Sequence, residues 1–413
     1  MVRATRGRGW AAGDIGASAG DRTECHVESC RAVQTRRCCH RMQNTPHASW
    51  LPNGCAAFRR MLAAIEAAQR SIQLETYIYA VGKPGDEFRA ALVAAARRGV
   101  AVQVLVDGFG ARALPETYWN DLHAAGGEVR VFNPLSLDRL AIRDHRKLLL
   151  IDDELAFLGG FNIAPEYDGD GVARGWFDLG LELHGRAAAG LRDSFEVLFA
   201  HHAFRHPRLG RWRHTPLRRA LRAHSRPLVL ATGPGLGRNA FHRRLLHDLG
   251  RAKRVEIVSA YFAPGYRLRR ALRMVVRRGG TVRLLLAGLT DVPLAQRAAR
   301  AFYGGLLRAG VQIAEYQPQI LHAKLAIVDD AVFVGSSNLD VRSFGINYEI
   351  MVRIRDAALA ADGRAIIDTA WSRSTVVRHR RRGFWQRWRE SWARLLLTRI
   401  DPWLARRQLR RLV

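Results

Sequence analysis

Two histidines, each followed two residues later by a lysine, have the residue types and spacing to do chemistry in this sequence. The first pair is His145 and Lys147, and the second is His322 and Lys324. Residues two apart in a β-strand point to the same face, so each pair should present an imidazole and an ammonium group together. Two such pairs suggest one composite site.

Each pair is followed by an aspartate and then by an asparagine. Asp152 and Asp329 lie five residues after their lysines. We include them in the candidate catalytic motif, but this odd offset turns them away from the pair in an unbroken strand and favours a structural or supporting role. Asn162 and Asn338 end the segments Gly-Gly-Phe-Asn and Gly-Ser-Ser-Asn. An antiparallel return of the chain could bring each amide beside its histidine.

This set of side chains suits phosphodiester transfer without a metal or another cofactor. Fixed ammonium and amide donors can stabilise the charge that develops on the non-bridging phosphate oxygens. One histidine can attack phosphorus, while the other protonates the leaving alkoxide and later deprotonates the incoming alcohol. The predicted phosphate-binding residues are Lys147, Lys324, Asn162 and Asn338.

Lysine is rare in this chain, which makes its positions informative. The chain has 66 basic residues, and only Lys83, Lys147, Lys253 and Lys324 are lysines. An ammonium group is a compact point charge, whereas a guanidinium is a broad planar fork. The alternative, two chance strands with solvated lysines, would have to occur twice at matching positions.

Two similar stretches, 71–162 and 254–338, should position these residues. Each contains a strand, an amphipathic helix ending in Arg-Arg-Gly, a strand, a helix, a strand and an apolar hairpin. Gly99 and Gly279 are predicted left-handed helix caps. The pattern predicts an α/β fold with parallel sheets, built from two duplicated lobes that pack about a pseudo-twofold axis around one shared active site.

The basic composition indicates a polyanionic partner. The formal charge is +29, which suits nucleic acid or an anionic membrane, although a general bias toward arginine contributes. No run of 18 apolar residues predicts a membrane-spanning helix. The N-terminal cysteines do not match known zinc spacings, so no metal site is predicted. These cysteines are Cys25, Cys30, Cys38 and Cys39.

We predict five regions along the chain. They are a disordered extension (1–48), a first lobe (49–202), a basic linker (203–226), a second lobe (227–375) and a basic tail (376–413). The tail combines arginines with tryptophans near one helical face, a pattern typical of a membrane-surface helix. The alternative is that its Trp/Leu stripe packs on the core of the protein.

The segments HRKLLLID and HAKLAIVD, followed by GGFN and GSSN, resemble the paired HKD motifs of the phospholipase D superfamily. ETYIYA, WFDLGLELHG and SSNLDVRSFGINYE are similar to segments of the short form of bacterial cardiolipin synthases. The resemblance covers about residues 50–375. It implies two phospholipase-D-like lobes, with His145 as the nucleophile and His322 as the acid/base, although near-symmetry leaves the reverse assignment open.

The resemblance also implies that Asp178 and Glu349 orient the histidines, and that the protein makes cardiolipin and glycerol from two phosphatidylglycerol molecules. The expected partners are an anionic phospholipid and the cytoplasmic face of a bacterial membrane, with no nucleic acid. Two alternatives remain: a phospholipase D or other phosphatidyltransferase, for example one using phosphatidylethanolamine, and an HKD nuclease. The sequence does not indicate the acceptor alcohol or the oligomeric state.

Overall fold

The structure is a computed structural model that describes residues 47–134, 142–203, 229–234, 239–378 and 383–400. The predicted N-terminal extension, its cysteine cluster and the basic linker fall almost entirely outside these residues. The five predicted region boundaries therefore stay predictions.

The described part of the first lobe contains seven strands and four α-helices. In chain order these are β1 (Ala48–Leu51), α1 (Gly54–Ala67), β2 (Ser71–Thr76), α2 (Lys83–Arg97), β3 (Ala101–Asp107), α3 (Asn120–Ala124), β4 (Glu128–Phe132), β5 (Lys147–Ile151), β6 (Leu155–Gly159), β7 (Gly180–His184) and α4 (Arg186–Ala200). A short 3-10 helix, Pro165–Tyr167, lies between β6 and β7.

The described part of the second lobe follows the same order, with an α-helix (α8, Val341–Gly345) in place of the 3-10 helix Pro165–Tyr167 and with one additional strand. Its elements are β8 (Val229–Thr232), α5 (Ala240–Leu249), β9 (Arg254–Ser259), α6 (Tyr266–Arg277), β10 (Thr281–Ala287), α7 (Pro293–Leu307), β11 (Gln312–Tyr316), β12 (Lys324–Val328), β13 (Ala331–Gly335), α8 (Val341–Gly345), β14 (Glu349–Arg355), α9 (Ala357–Ser372) and β15 (Ser374–Val376). The helix α10 (Phe384–Leu395) follows.

Strand order confirms the duplication. The first sheet runs β1-β7-β6-β5-β2-β3-β4, and the second runs β8-β14-β13-β12-β9-β10-β11-β15. The first seven strands of the second sheet occupy the same places as those of the first, and β15 extends its far edge. The two α/β lobes expected from the sequence are therefore present.

The prediction of parallel sheets was only half right. β2, β3 and β4 pair in parallel, but β5 pairs antiparallel with both β2 and β6. The hairpin that carries each motif thus joins the parallel part of its sheet from the opposite direction. A short hairpin connection imposes this arrangement, since parallel neighbours need a long crossover.

Both faces of each sheet are buried, which explains why the motif strands are apolar throughout. Leu148 and Leu150 of β5 pack in a core shared with Leu325 and Ile327 of β12. Leu149, between the first two, faces a separate core formed with α1 and α2. The lobes thus meet sheet against sheet, with helices over the outer faces. This packing brings the ends of the motif strands together.

The predicted caps and part of the tail prediction can be compared directly with the structure. Gly99 and Gly279 have φ angles of +87° and +83°, which confirms the left-handed caps. Trp385, Trp388 and Trp392 on α10 are exposed, so the alternative that these tryptophans pack on the core is wrong. In the described part of the chain, no helix has the length and apolarity to cross a bilayer.

Candidate active site

Each motif histidine lies just before its strand and is hydrogen-bonded to the other lobe. The His145 N–H donates to the carbonyl oxygen of Tyr348 at 3.0 Å, and the His322 N–H donates to that of Phe177 at 2.8 Å. Tyr348 directly precedes Glu349 in sequence, and Phe177 directly precedes Asp178. The backbone therefore places each histidine beside a carboxylate of the opposite lobe.

The side chains follow this exchange. His145 Nδ1 lies 3.1 Å from Glu349 Oε2, and His322 Nδ1 lies 2.6 Å from Asp178 Oδ2. Both carboxylates are fully buried. A carboxylate on Nδ1 selects the tautomer that leaves Nε2 available for proton or phosphoryl transfer. The predicted orienting residues are thus in contact with the histidines, in pairs that cross between the lobes.

The two carboxylates are accommodated differently. A Cβ atom at Gly160 would lie 2.1 Å from Asp178 Oδ1, so this close approach requires glycine. The matching residue of the second motif is Ser336, whose hydroxyl donates to Glu349 at 2.5 Å. Ser343 donates to the other oxygen of Glu349 at 2.8 Å. Burial raises the pKa of Glu349 to about 7, against the opposing effect of nearby Lys147 and the two hydroxyls.

The motif lysines lie beside their own histidines. Lys147 Nζ donates to the carbonyl oxygen of His145 at 2.7 Å, and Lys324 Nζ bonds the carbonyl oxygen of His322. Lys324 Nζ is also 2.7 Å and 2.9 Å from the two ring nitrogens of His322. Burial, and then repulsion by Lys324, lower the pKa of Lys147 to about 7. Burial lowers that of Lys324 to about 8.

Both imidazoles have lowered pKa values in the empty site, which favours their neutral forms. Burial, followed by the charge of Lys147, lowers the pKa of His145 well below its usual range. Burial and Lys324 lower the pKa of His322 to about 3, although Asp178 opposes this shift. A neutral imidazole has the free lone pair that a nucleophile or a general base needs.

The histidines share one cavity of about 570 Å³. Its lining includes His145, His322, Asn162 and Asn338, together with aromatic and charged side chains from both lobes. The lysines do not border this cavity. Phosphate binding by the lysines therefore stays a prediction, which would rest on charge acting through poorly solvated surroundings.

Tyr167 is a site residue that the sequence did not identify. Its hydroxyl lies 3.3 Å from His322 Nε2 and receives a 2.7 Å hydrogen bond from Asn162 Nδ2. The Trp176 ring also contacts His322, with centroids 5.5 Å apart. On the other side, the Tyr77 ring lies 5.0 Å from that of His145. These aromatics lie in the segments ETYIYA, PEYD and RGWFD. They have no regular spacing from the histidines, so the sequence does not identify them as site residues.

The asparagines reach the cavity with different hydrogen bonds. Asn162 Oδ1 accepts from the backbone N–H of Ile78 at 3.0 Å, which leaves its amide nitrogen to face Tyr167. Asn338 Oδ1 is buried without a hydrogen-bond partner among the described residues. A buried polar atom of this kind is costly unless a ligand or water satisfies it. Phosphate binding by either amide stays a prediction.

The grouping of Asp152 and Asp329 with the reacting residues needs correction. Asp152 caps the N–H groups of Gln69, Arg70 and Ser71 at 2.9, 2.7 and 2.9 Å. Asp329 similarly accepts from the backbone of Arg254 at 2.8 Å. Both lie at the far ends of their motif strands, about 16 Å from the lysines at 3.3 Å per residue. They hold the hairpin turns against the neighbouring strands.

A family model described as "Cardiolipin synthase, PLD-like domain" matches residues 61–167 and 245–371. "Cardiolipin synthase B" of Escherichia coli (strain K12) is 36% identical over 314 residues, covering 74% of this chain and 76% of that protein. "Cardiolipin synthase 1" of Bacillus cereus is 30% identical over 361 residues, covering 84% and 71% respectively.

Solved structures resemble the fold at lower identity. The phosphatidylserine synthase of Haemophilus influenzae Rd KW20 matches with a TM-score of 0.65 and 15% identity, over 92% of this chain and all of that one. The polyphosphate kinase of Porphyromonas gingivalis matches with a TM-score of 0.51 over 78% of this chain and 46% of its own. Together with the sequence matches, these place the chain in the PLD-like cardiolipin synthase family, as an enzyme of the phosphatidyltransferase class.

Proposed function

We propose that this protein makes cardiolipin by transferring a phosphatidyl group from one phosphatidylglycerol to another, with release of glycerol. The observation that carries the proposal is the pair of crossed His–carboxylate contacts around a single cavity. Each lobe supplies one imidazole and the carboxylate that orients the other. Neither lobe alone has a complete acid or nucleophile, so the arrangement supports one two-histidine site.

In the first step, His145 Nε2 attacks phosphorus while the bond from phosphorus to the glycerol oxygen breaks. His322, protonated once the anionic phosphodiester is bound, gives its Nε2 proton to that oxygen, and glycerol leaves. In the second step, His322 takes the proton of a second phosphatidylglycerol hydroxyl, whose oxygen attacks the phosphohistidine and releases His145. Electrons and protons balance over the two steps, with no cofactor involved.

The hydrogen bonds support this division of roles. With its Nδ1–H donated to Asp178, His322 presents a lone pair at Nε2 that can accept a hydrogen bond from the Tyr167 hydroxyl. Such a contact holds a proton-accepting nitrogen in place between steps. His145 lines the shared cavity with its Nδ1 beside Glu349, an arrangement that supports attack of Nε2 on phosphorus.

The membrane is the proposed place of action. On α10, Trp385, Trp388, Trp392 and Leu395 form one exposed face, which we call the tryptophan face. The opposite side packs on α7 through the buried Glu390 and Ala393. An exposed aromatic face on an arginine-rich helix supports peripheral binding to an anionic bilayer. We propose the cytoplasmic leaflet, where phosphatidylglycerol would be the substrate.

Incubating the purified protein with labelled phosphatidylglycerol, phosphatidylethanolamine or single-stranded DNA tests the function. We expect cardiolipin and glycerol in equal amounts from phosphatidylglycerol alone, at undiminished rate in EDTA. Phosphatidic acid as the main lipid product would indicate a phospholipase D. Cleaved DNA without lipid products would indicate a nuclease, and either result would overturn the proposal.

A further inference from the structure

A second cavity of about 460 Å³ lies next to the catalytic one. Its walls are mainly apolar and come from four regions that are distant in sequence, one of them the start of α8. Leu294 and Ala295 come from the start of α7, and Phe262 from the loop after β9. Leu397 and Ile400 come from the turn that ends α10. The volume falls within the range of ordinary small-molecule sites.

The two cavities adjoin each other. Tyr261, Val292, Asp340 and Arg342 line both of them. At this junction the Tyr261 hydroxyl donates to Asp291 at 2.8 Å. Polar groups therefore lie at the junction and on the catalytic side, whereas the second cavity is lined by carbon. A ligand that fills both must be an amphiphile with its polar part at the histidines.

The second cavity opens toward the surface near the tryptophan face. Ile400 lines the cavity and is 37% exposed, and Val292 at the junction is 38% exposed. Ile400 lies five residues beyond Leu395, the last residue of that face. A lipid leaving a bilayer that contacts α10 would therefore meet the cavity close to the membrane surface.

We propose that this cavity binds an acyl chain of the phosphatidyl donor, with the end of α10 forming one wall. The inference rests on the proposed function and adds a substrate subsite to it. The C-terminal helix thus serves both the membrane contact and the substrate site. Each methylene buried in such a wall is worth about fourfold in affinity, so chain length should strongly affect donor use.

Ala295→Phe tests the proposal, because the larger ring would occupy the cavity from a half-buried helix position. Ala361→Phe is the matched control, the same change at an exposed position of α9 in the same lobe. The measurement is the ratio of kcat/KM for dioleoyl to dihexanoyl phosphatidylglycerol in mixed micelles. We expect the ratio to fall at least about tenfold in Ala295→Phe and to stay at the wild-type value in Ala361→Phe.

Photolabelling of the unaltered protein supplies a second measurement. Phosphatidylglycerol with a diazirine near the end of one acyl chain should label residues 294–295 or 396–400, identified by peptide mass spectrometry. An unchanged chain-length ratio in folded Ala295→Phe, or labelling only elsewhere, would overturn the acyl site while cardiolipin production still supported the function. If no cardiolipin forms, the labelling pattern still decides whether the cavity holds a lipid chain.

Discussion

The two histidines have unequal surroundings although their motifs are alike. His322 has Asp178 on one ring nitrogen and Tyr167 near the other, whereas His145 has Glu349 on Nδ1 and a backbone hydrogen bond with Ser336. Glycine behind Asp178 and serine behind Glu349 add to this difference. Near-symmetry of sequence thus coexists with distinct proton-transfer environments, which suits one nucleophile and one acid/base.

His145→Ala and His322→Ala should each reduce transfer at least about a thousandfold, because each removes a group that no neighbour replaces. The roles can be separated with a phosphatidyl donor carrying a p-nitrophenol leaving group, which departs without protonation. Release of p-nitrophenol in a single turnover should recover in His322→Ala and Asp178→Asn, but not in His145→Ala. Recovery in His145→Ala instead would reverse the assignment.

The lysines predict the pH dependence. Lys147 and Lys324 have pKa values lowered to about 7 and about 8 in the empty site, so they lose charge as the pH rises through this range. kcat/KM reports the free enzyme and should therefore fall above about pH 7. A bound phosphodiester favours the ammonium form and raises both pKa values, so the basic limb of kcat should lie at higher pH.

Steady-state rates measured between about pH 6 and about pH 10 check this expectation. A basic limb of kcat/KM that coincides with that of kcat would mean that the substrate does not interact with the lysines. A basic limb that appears only near the ordinary lysine pKa would mean that burial and mutual repulsion do not lower the pKa values of Lys147 and Lys324 in solution.

At the scale of elements, the end of the hairpin after each motif strand determines how each lobe holds its own carboxylate. The strand β6 leads into Gly160, where the backbone meets the carboxylate side chain of Asp178 directly. The equivalent β13 leads into Ser336, which adds a hydroxyl donor instead. The residue that follows the hairpin, glycine in one lobe and serine in the other, thus fits the same hairpin to the shorter Asp178 and the longer Glu349.

Gly160→Ala should displace Asp178 and release the His322 ring, because the added Cβ would be 2.1 Å from the carboxylate. We expect kcat to fall at least about tenfold, with a phenotype like that of Asp178→Asn. Gly265→Ala is the control, since nothing lies within 4 Å of a Cβ there. Full activity of a folded Gly160→Ala variant would mean that the Asp178 contact is unimportant.

At the scale of the whole molecule, the packing of the two sheets creates the site. The shared core brings the ends of β5 and β12 together, and cross-lobe backbone bonds align them. On the outside, α10 lies on α7 with its tryptophans exposed. The molecule thus combines a two-lobed catalytic centre with a surface that can meet lipid.

Replacing Trp385, Trp388 and Trp392 together by alanine should weaken binding to phosphatidylglycerol vesicles without unfolding the protein, because all three are exposed. Interfacial aromatics anchor such helices, while arginines add about 1 kcal/mol each near an anionic surface. Vesicle co-sedimentation at low and high salt measures both contributions. Tyr266→Ala, at another exposed aromatic, is the control and should bind normally.

We expect the triple tryptophan variant to lose vesicle binding but to keep its activity on detergent-dispersed lipid. Undiminished binding of the triple variant would move the membrane contact to another basic surface, and the stretch 203–226 would be the next candidate.

The amino-acid sequence alone determined the motif pairs and the duplicated α/β pattern, because these depend on residue type and local periodicity, while its resemblance to a known family indicated the orienting acids Asp178 and Glu349. Gly99 and Gly279 were readable as caps for the same reason. The tertiary structure decided that Glu349 serves His145 and Asp178 serves His322, that Tyr167 joins the site, and that α10 walls an apolar cavity. These contacts depend on which surfaces of the two lobes bury each other. The local sequence pattern does not determine this, because the same strands form whether each histidine pairs with the acid of its own lobe or of the other lobe.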